Sequence, residues 1–112
     1  MTDEEFDQLA RSLPEVTYAD HFGQGAYKVA DKKIFACPSE TREGRGVLKL
    51  TPEQQEMMCE AEPTIFRAFT DYWGRQGWTQ FVVAEADEAT ARSALWTAWK
   101  NVASKTLLKK YA

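Results

Sequence analysis

Hydrophobic residues near the N-terminus of this chain recur at the spacing of one helical face. They are Phe6, Leu9, Ala10 and Leu13. Thr2 and Glu5 are placed to form a capping box, which satisfies free backbone N–H groups at a helix start, and Pro14 would end the helix. The pattern therefore predicts a first element that is a short amphipathic helix of about a dozen residues.

From position 16 to position 50 the hydrophobic period changes to two, the alternation of a β-strand. Four strands are predicted, at residues 16–22, 26–30, 33–37 and 46–50. Turn and loop signals separate them at residues 23–25, 31–32 and 38–46. Because parallel strands need long crossover connections, these short connections favour antiparallel pairing.

The second half of the chain begins with a strong helix-start signal. Thr51 is placed as the N-cap, Pro52 occupies the first helical position, and Gln54 completes a capping box. This helix should break at Pro63. A hairpin is predicted next, with strands at residues 67–72 and 79–84 joined by the turn Trp73-Gly74-Arg75-Gln76-Gly77-Trp78.

A last helix is predicted from Asp87, a capping residue, because apolar side chains recur at helical spacing at positions 91, 95, 98 and 102. Fraying is expected beyond Ser104. The order of elements is then helix, four strands, helix, two strands, helix. It predicts an α+β fold, a two-layer sandwich in which an antiparallel sheet of about five to six strands carries helices on one face. Residues 1–112 are expected to form a single domain.

Composition narrows the function classes. The hydrophobic share of 44% and the charged share of 28% are typical of a globular protein. The net charge of −3 differs from that of a general nucleic-acid coat protein, which is strongly basic. No apolar run is long enough to cross a bilayer, and the acidic N-terminus lacks the features of a signal peptide. We therefore expect a cytoplasmic protein with no membrane partner.

The chemistry-bearing residues do not form a catalytic or metal-binding pattern. Cys37 and Cys59 are interpreted as buried free thiols, and the single histidine, His21, argues against a zinc site. His21 also lacks a positioned partner, because its neighbour Asp20 would point to the opposite face of a strand. One acidic run is interpreted as a solvated face: Glu53, Glu56, Glu60 and Glu62. The sequence predicts a protein without catalytic activity, metal or cofactor.

Basic residues fall repeatedly in or beside the predicted hairpins and loops. The residues proposed to contact nucleic acid are Lys32, Lys33, Arg42, Arg45, Lys49, Arg75 and Gln76, with Trp73 and Trp78 available for support or stacking. Lys28 and Arg67 also fall in hairpins but are not among the proposed contacts. The alternative is that these charges only decorate loops and that the two Trp residues pack on the core. Composition and spacing alone favour that alternative.

Five stretches spread along the chain resemble the MmcQ/YjbR family of small bacterial proteins. They are Leu13-Pro14, His21-Phe22-Gly23, Lys33-Ile34-Phe35-Ala36, Val47-Leu48-Lys49-Leu50-Thr51-Pro52-Glu53-Gln54 and Gly74-Arg75-Gln76-Gly77-Trp78. Their order along the chain is the family's order. The sequence departs from the family where Gln24-Gly25 replaces a segment that often contains Pro.

The resemblance implies a CyaY-like or secretion-chaperone-like α+β fold. It also implies a "double wing", in which hairpins of the sheet grip DNA, and it supplies no catalytic residues. The leading hypothesis is a DNA-binding protein that contacts phosphates through basic hairpin loops. A second hypothesis is a protein-interaction or homodimerisation module that uses the open sheet face and Trp96. A third is a small-molecule pocket between the helices and the sheet, near His21.

Overall fold

The computed structural model describes residues 1–21 and 23–112, apart from the side chain of His21. Six strands lie within these ranges: β1 (Val16–His21), β2 (Gln24–Val29), β3 (Lys33–Cys37), β4 (Arg45–Lys49), β5 (Phe66–Ala68) and β6 (Trp78–Val82). The α-helices are α1 (Asp3–Arg11), α2 (Pro52–Ala61), α3 (Tyr72–Arg75), α4 (Glu88–Val102) and α5 (Lys105–Tyr111). Short 3-10 turns occupy Glu40–Arg42 and Val83–Glu85. Predictions that involve Phe22 or the His21 side chain fall outside the described residues.

The strands form one antiparallel sheet in the order β1-β2-β3-β4-β6-β5. This arrangement confirms the predicted α+β class, the antiparallel pairing and the upper end of the predicted strand number. One irregularity interrupts the sheet, where Tyr27 pairs with Ala36 but Lys28 pairs with Ile34. Phe35 is thus an extra residue on β3. This β-bulge shifts the alternation of side chains between the two faces of the sheet for the residues that follow.

Helices α1 and α4 cover one face of the sheet and enclose the core between the layers. Phe6 of α1 stacks on Phe81 of β6 with ring centroids 5.5 Å apart. In the predicted apolar stripe of α4, Ala91, Leu95 and Ala98 are buried and Val102 is half-buried; Ala94 and Trp99 beside the stripe are buried as well. Burial of their apolar sides explains why α1 and α4 pack together on this face of the sheet.

Local capping signals are confirmed in atomic detail. Thr2 and Glu5 form a reciprocal capping box at α1, and Thr51 and Gln54 form another at α2. The side chain of Asp87 accepts a hydrogen bond from the backbone N–H of Thr90 at the start of α4. These contacts span three residues each, so the sequence alone specifies them.

The C-terminal segment differs from its prediction. Fraying beyond Ser104 is wrong, because Ser104 caps α5 and its Oγ accepts from the N–H of Leu107. The ring of Tyr111 packs edge-on against Trp99, and its hydroxyl donates to Glu15. Tertiary contacts therefore stabilise a helix that would be too short to persist by itself.

Candidate functional site

The face of the sheet opposite the helices can be assigned strand by strand. On β4, a Cβ added at Gly46 would meet the ring of Phe6 at 2.7 Å, so Gly46 faces α1 and its neighbours Arg45 and Val47 face away. Residues directly paired across antiparallel strands share a face. The pairs Cys37–Val47, Val47–Gln80 and Gln80–Arg67 therefore continue one row across this side, which we call the outer face.

Charge is distributed unevenly on the outer face. The same pairing argument assigns four basic strand residues to it: Lys28, Arg45, Lys49 and Arg67. None of the strand residues that the structure describes on this face is Asp or Glu. Carboxylates lie on helices, for example at Asp3, Glu4 and Glu5 in the first turn of α1, and in loops, where Asp71 is one that reaches this face. The outer face is consequently a local basic surface on a chain with a net charge of −3.

Lys49 is held in place by its neighbours on the outer face. Its ammonium group donates to the backbone carbonyl of Gln76 and lies 5.5 Å from the ring centroid of Trp78. Partial burial lowers the pKa of Lys49 from its ordinary value. At the other end of β4, the guanidinium of Arg45 donates to the Gln80 side chain over 3.2 Å. Arg45 is exposed, so it keeps donors free for a ligand.

A cavity of about 470 Å³ opens on the outer face over the central strands. It is lined by Ile34, Cys37, Arg42, Val47, Phe69, Asp71, Trp73 and Trp78. Trp73 is 58% exposed, and Tyr72 stacks on it with ring centroids 5.5 Å apart and an angle of 9° between the ring planes. The Nε of Arg42 is buried without a hydrogen-bond partner among the described residues. Burial raises the pKa of the Cys37 thiol, which keeps it a neutral wall of the cavity.

The segment that carries Trp73 is a helical turn. Strands β5 and β6 do pair as the predicted hairpin, but the first strand ends at Ala68 and α3 occupies the tip. Asp71 caps α3 by accepting from the N–H groups of Trp73 and Gly74. The extended prediction for residues 69–72 is wrong because this local cap outcompetes strand pairing.

Close backbone packing fixes α3 against the rest of the molecule. Gly77 has a φ of +100°, and the N–H of Leu50 donates to its carbonyl over 3.1 Å. Gln55 of α2 places its Nε2 3.0 Å from the carbonyl of Gly74, 3.0 Å from that of Trp78 and 3.0 Å from Thr79 Oγ1. The turn is thus tied to both β4 and α2, which keeps the cavity walls in position.

Comparison with known proteins now identifies the domain. A family model named YjbR matches residues 11–101 of the chain. The chain belongs to the YjbR family. A crystal structure of the Deinococcus radiodurans protein DR2400, which carries the domain DUF419, superimposes with a TM-score of 0.74 over 97% of this chain and 86% of that one. The two sequences are 18% identical, so this likeness concerns the fold alone. A search of curated proteins finds no match.

The residues predicted to bind nucleic acid in this YjbR domain fall into separate groups. Arg42, Trp73 and Trp78 line the cavity, and Lys49 adjoins it through Trp78. Arg45 is the first residue of β4 and lies on the outer face, so its assignment to the loop at residues 38–46 is wrong. Arg42 is half-buried and ends the 3-10 turn Glu40–Arg42. Arg75 and Gln76 are exposed at the end of α3.

Two of the residues predicted to bind nucleic acid do not lie on the outer face. Lys32 and Lys33 line a separate cavity of about 200 Å³ with Val102 of α4 and Leu107 of α5. That cavity lies on the helix-covered side, because Val102 and Leu107 belong to the helical layer. The second hypothesis combined Trp96 with the open sheet face in one interface, but the structure places them on opposite sides of the sheet. Trp96 belongs to α4 and stacks on Trp99 with centroids 4.8 Å apart, in the layer opposite the outer face.

Several residues of the outer face and its cavity were not predicted from the sequence. Lys28 and Arg67 were recognised as basic but were not proposed as contacts, although strand alternation predicts their facing once the pairing is known. Phe69 and Asp71 carry no such signal, because they reach the outer face only through the path of the α3 segment. Across residues 1–21 and 23–112, no three side chains of His, Cys, Asp or Glu gather as a metal site. No helix in the described part of the chain is long and apolar enough to cross a membrane.

Replacing Gln55 with Ala should lower the free energy of unfolding by about 1–2 kcal/mol, because the carbonyls of buried Gly74 and half-buried Trp78 lose their donor. Urea titration followed by circular dichroism measures the change. Glu56→Ala, at the exposed next position of α2, is the control for helix propensity and should change stability by less than about 0.5 kcal/mol. Equal effects of the two substitutions would contradict the anchoring role of Gln55.

Proposed function

We propose that this YjbR protein binds DNA, without catalysing a reaction, by placing the phosphate backbone along the outer face of its sheet. The observation that carries the proposal is the strand composition of that face, on which Lys28, Arg45, Lys49 and Arg67 are basic and no described strand residue is acidic. Basic side chains on a rigid sheet can contact phosphates without reordering of the backbone, so that only side-chain freedom is lost on binding.

A net charge of −3 is compatible with this role. Electrostatic interactions between exposed charges are screened over about 8 Å at physiological ionic strength. The carboxylates of α1 lie in the helical layer, on the other side of the sheet from the basic strand residues. A phosphate at the outer face therefore interacts mainly with the local basic surface. The expectation of a cytoplasmic location fits this role and stays a prediction.

In this arrangement DNA contacts the outer face of the sheet, whereas the hypothesis from the sequence placed the contacts at the hairpin loops. A double-wing grip would require basic tips that flank one groove. Lys32 and Lys33 lie toward α5, whereas Arg75 and Gln76 lie at the end of α3 beside the outer face. Among the predicted contacts, Arg45 and Lys49 thus receive the most support, while Lys32 and Lys33 receive the least.

A salt titration of DNA affinity tests the proposal. Binding of a fluorescently labelled duplex of mixed sequence would be followed by anisotropy between low and physiological salt. About four phosphate contacts should make log K fall against log salt with a slope of roughly −3 to −4. The double variant Arg45→Gln/Arg67→Gln should weaken binding and flatten the slope by roughly 2, because each lost contact releases one fewer counterion.

A charge-matched control separates the local surface from net charge. Arg92→Gln/Lys109→Gln removes the same two positive charges from α4 and α5, at exposed positions in the helical layer. This variant should retain the slope and nearly all the affinity. Undetectable binding at low salt would contradict the proposal. A control variant that loses as much affinity as the outer-face variant would also contradict it.

The exposed aromatic pair on α3 favours a second candidate function, a homodimer contact. Tyr72 is 52% exposed and Trp73 is 58% exposed, and both belong to the same helical turn. Exposed aromatic side chains are enriched in protein interfaces. Sedimentation velocity over a range of concentrations tests this candidate. A dimer that dissociates on Tyr72→Ala would support it, and a monomer at all concentrations would contradict it.

A further inference from the structure

The cavity beside α3 has polar groups that the fold itself does not use. The Nε of Arg42 is buried and without a partner among the residues described. Asp71 uses its Oδ1 to cap α3, while its Oδ2 accepts no hydrogen bond from the described part of the chain. The Nε atom itself has almost no accessible surface, so a ligand in the cavity would meet the other N–H donors of the Arg42 guanidinium, which make no hydrogen bond to another described residue.

The walls of the cavity restrict the shape of such a ligand. Phe69, Trp73 and Trp78 contribute aromatic surface, and Ile34 and Val47 form an apolar floor on the sheet. Tyr72 stacks on Trp73 without lining the cavity, which leaves the other face of the indole for a ligand. Flat aromatic walls favour a planar ring system that can stack.

The two polar groups restrict the charge of the ligand. A carboxylate or phosphate inside the cavity would pair with Arg42 but would be repelled by Asp71. A cation would pair with Asp71 but would be repelled by Arg42. A neutral heteroaromatic ring that carries both a hydrogen-bond acceptor and a donor satisfies both groups at once. Nucleobases have this combination on their edges.

We propose that the cavity receives one unstacked nucleobase of a DNA single strand that lies across the outer face. This inference rests on the proposed function and specifies its ligand. Lys49 links the two features, because its ammonium is part of the basic surface and lies 5.5 Å from the centroid of Trp78, a cavity wall. A phosphate held near Lys49 therefore places an adjacent base within reach of the cavity.

The size of the cavity agrees with this occupant. Its volume of about 470 Å³ lies within the range of small-molecule pockets and accommodates a base with part of its sugar. A base can enter only after it leaves its stack and its pairing partner. The chain should consequently prefer single-stranded DNA over a duplex of the same length.

Three labelled DNAs of about 12 nucleotides test the inference by anisotropy at one salt concentration: a mixed-sequence single strand, the same strand with abasic sugars throughout, and the duplex. The site size is typical of single-strand binders. We expect the single strand to bind at least about tenfold more tightly than the abasic strand, since base–aromatic stacking contributes that much per base. The duplex should bind more weakly than the single strand, by phosphate contacts alone.

Variants of the cavity then assign the effect to its walls. Trp73→Ala should weaken single-strand binding about tenfold and leave duplex and abasic binding nearly unchanged. Trp73→Phe, which keeps an aromatic face, should restore most of the loss. Met57→Ala is the matched control, because it removes another exposed large apolar side chain, 61% exposed, from α2. It should bind all three DNAs as the unmodified protein does. Circular dichroism verifies that each variant is folded.

The outcomes separate this inference from the proposed function. Equal affinity for the single strand, the abasic strand and the duplex would overturn the nucleobase assignment, while the proposed phosphate contacts would stand. An unchanged single-strand affinity in Trp73→Ala would overturn it as well. Absence of binding to all three DNAs at low salt would overturn the proposed function and this inference together.

Discussion

Replacing Gly77 with Ala is expected to lower the free energy of unfolding by about 3–5 kcal/mol. Two independent effects add at this position. The φ of +100° is a conformation that residues with a side chain rarely adopt. An added Cβ would also lie 1.8 Å from the carbonyl oxygen of Leu50, and backbone must shift to relieve that contact. The shift would break the hydrogen bond from Leu50 N–H to Gly77.

Two other glycines separate these effects. Gly44 has a φ of +80° with open space where a Cβ would be added, so Gly44→Ala measures the conformational cost alone, about 1 kcal/mol. An added Cβ at Gly74, within α3, would lie 1.7 Å from the carbonyl oxygen of Phe69, so Gly74→Ala measures the steric cost alone. Urea titrations of the three variants give the comparison. A Gly77→Ala variant no less stable than Gly44→Ala would show that the Leu50 carbonyl moves at little cost.

Replacing Trp99 with Ala is expected to lower the free energy of unfolding by about 3–5 kcal/mol. Trp99 is fully buried and contacts several elements at once. Its ring stacks on Trp96 with centroids 4.8 Å apart and meets the edge of Tyr111 at 6.2 Å. Its Nε1 donates to the carbonyl of Pro14 over 2.8 Å. The side chain thus joins α4, α5 and the segment after α1, and its removal leaves a large cavity.

Graded substitutions test which part of this contribution comes from the hydrogen bond. Trp99→Phe retains an aromatic ring but leaves the Pro14 carbonyl without its donor, so an intermediate loss is expected. Trp73→Ala is the control, because that tryptophan is 58% exposed and should change stability by less than about 1 kcal/mol. Circular dichroism measures all three in urea without depending on tryptophan emission. Equal losses for Trp99→Ala and Trp73→Ala would contradict the central role of Trp99.

Much of the fold follows from contacts that are local in sequence. The capping boxes of Thr2 with Glu5 and Thr51 with Gln54 each span three residues, so the chain carries them wherever it folds. Strand β3 was predicted at residues 33–37, where it occurs, since its alternation and its flanking turns are both local signals. The buried stripe of α4 was predicted from helical periodicity for the same reason.

Less of the candidate site than of the fold could be predicted from the sequence. The identities of Arg42, Trp73 and Trp78 drew attention to them, but their common cavity depends on how the α3 segment crosses the sheet. Lys28 and Arg67 share the outer face only through the registers that connect the strands. Lys32 and Lys33 resemble the other basic residues in sequence and yet lie near α5. Charge alone therefore could not identify a surface.

The α+β class, the helix starts, most strands and the family could be predicted from the sequence, because each depends on patterns within a few residues or on motifs in order. Only the complete fold fixes the position of the α3 turn over the sheet, the ordered α5 and the basic outer face. Each of these depends on partners distant in the chain: Gly77 with Leu50, Trp99 with Tyr111, and paired strands. Contacts of this kind have no local pattern, and they are what brings the proposed binding residues together.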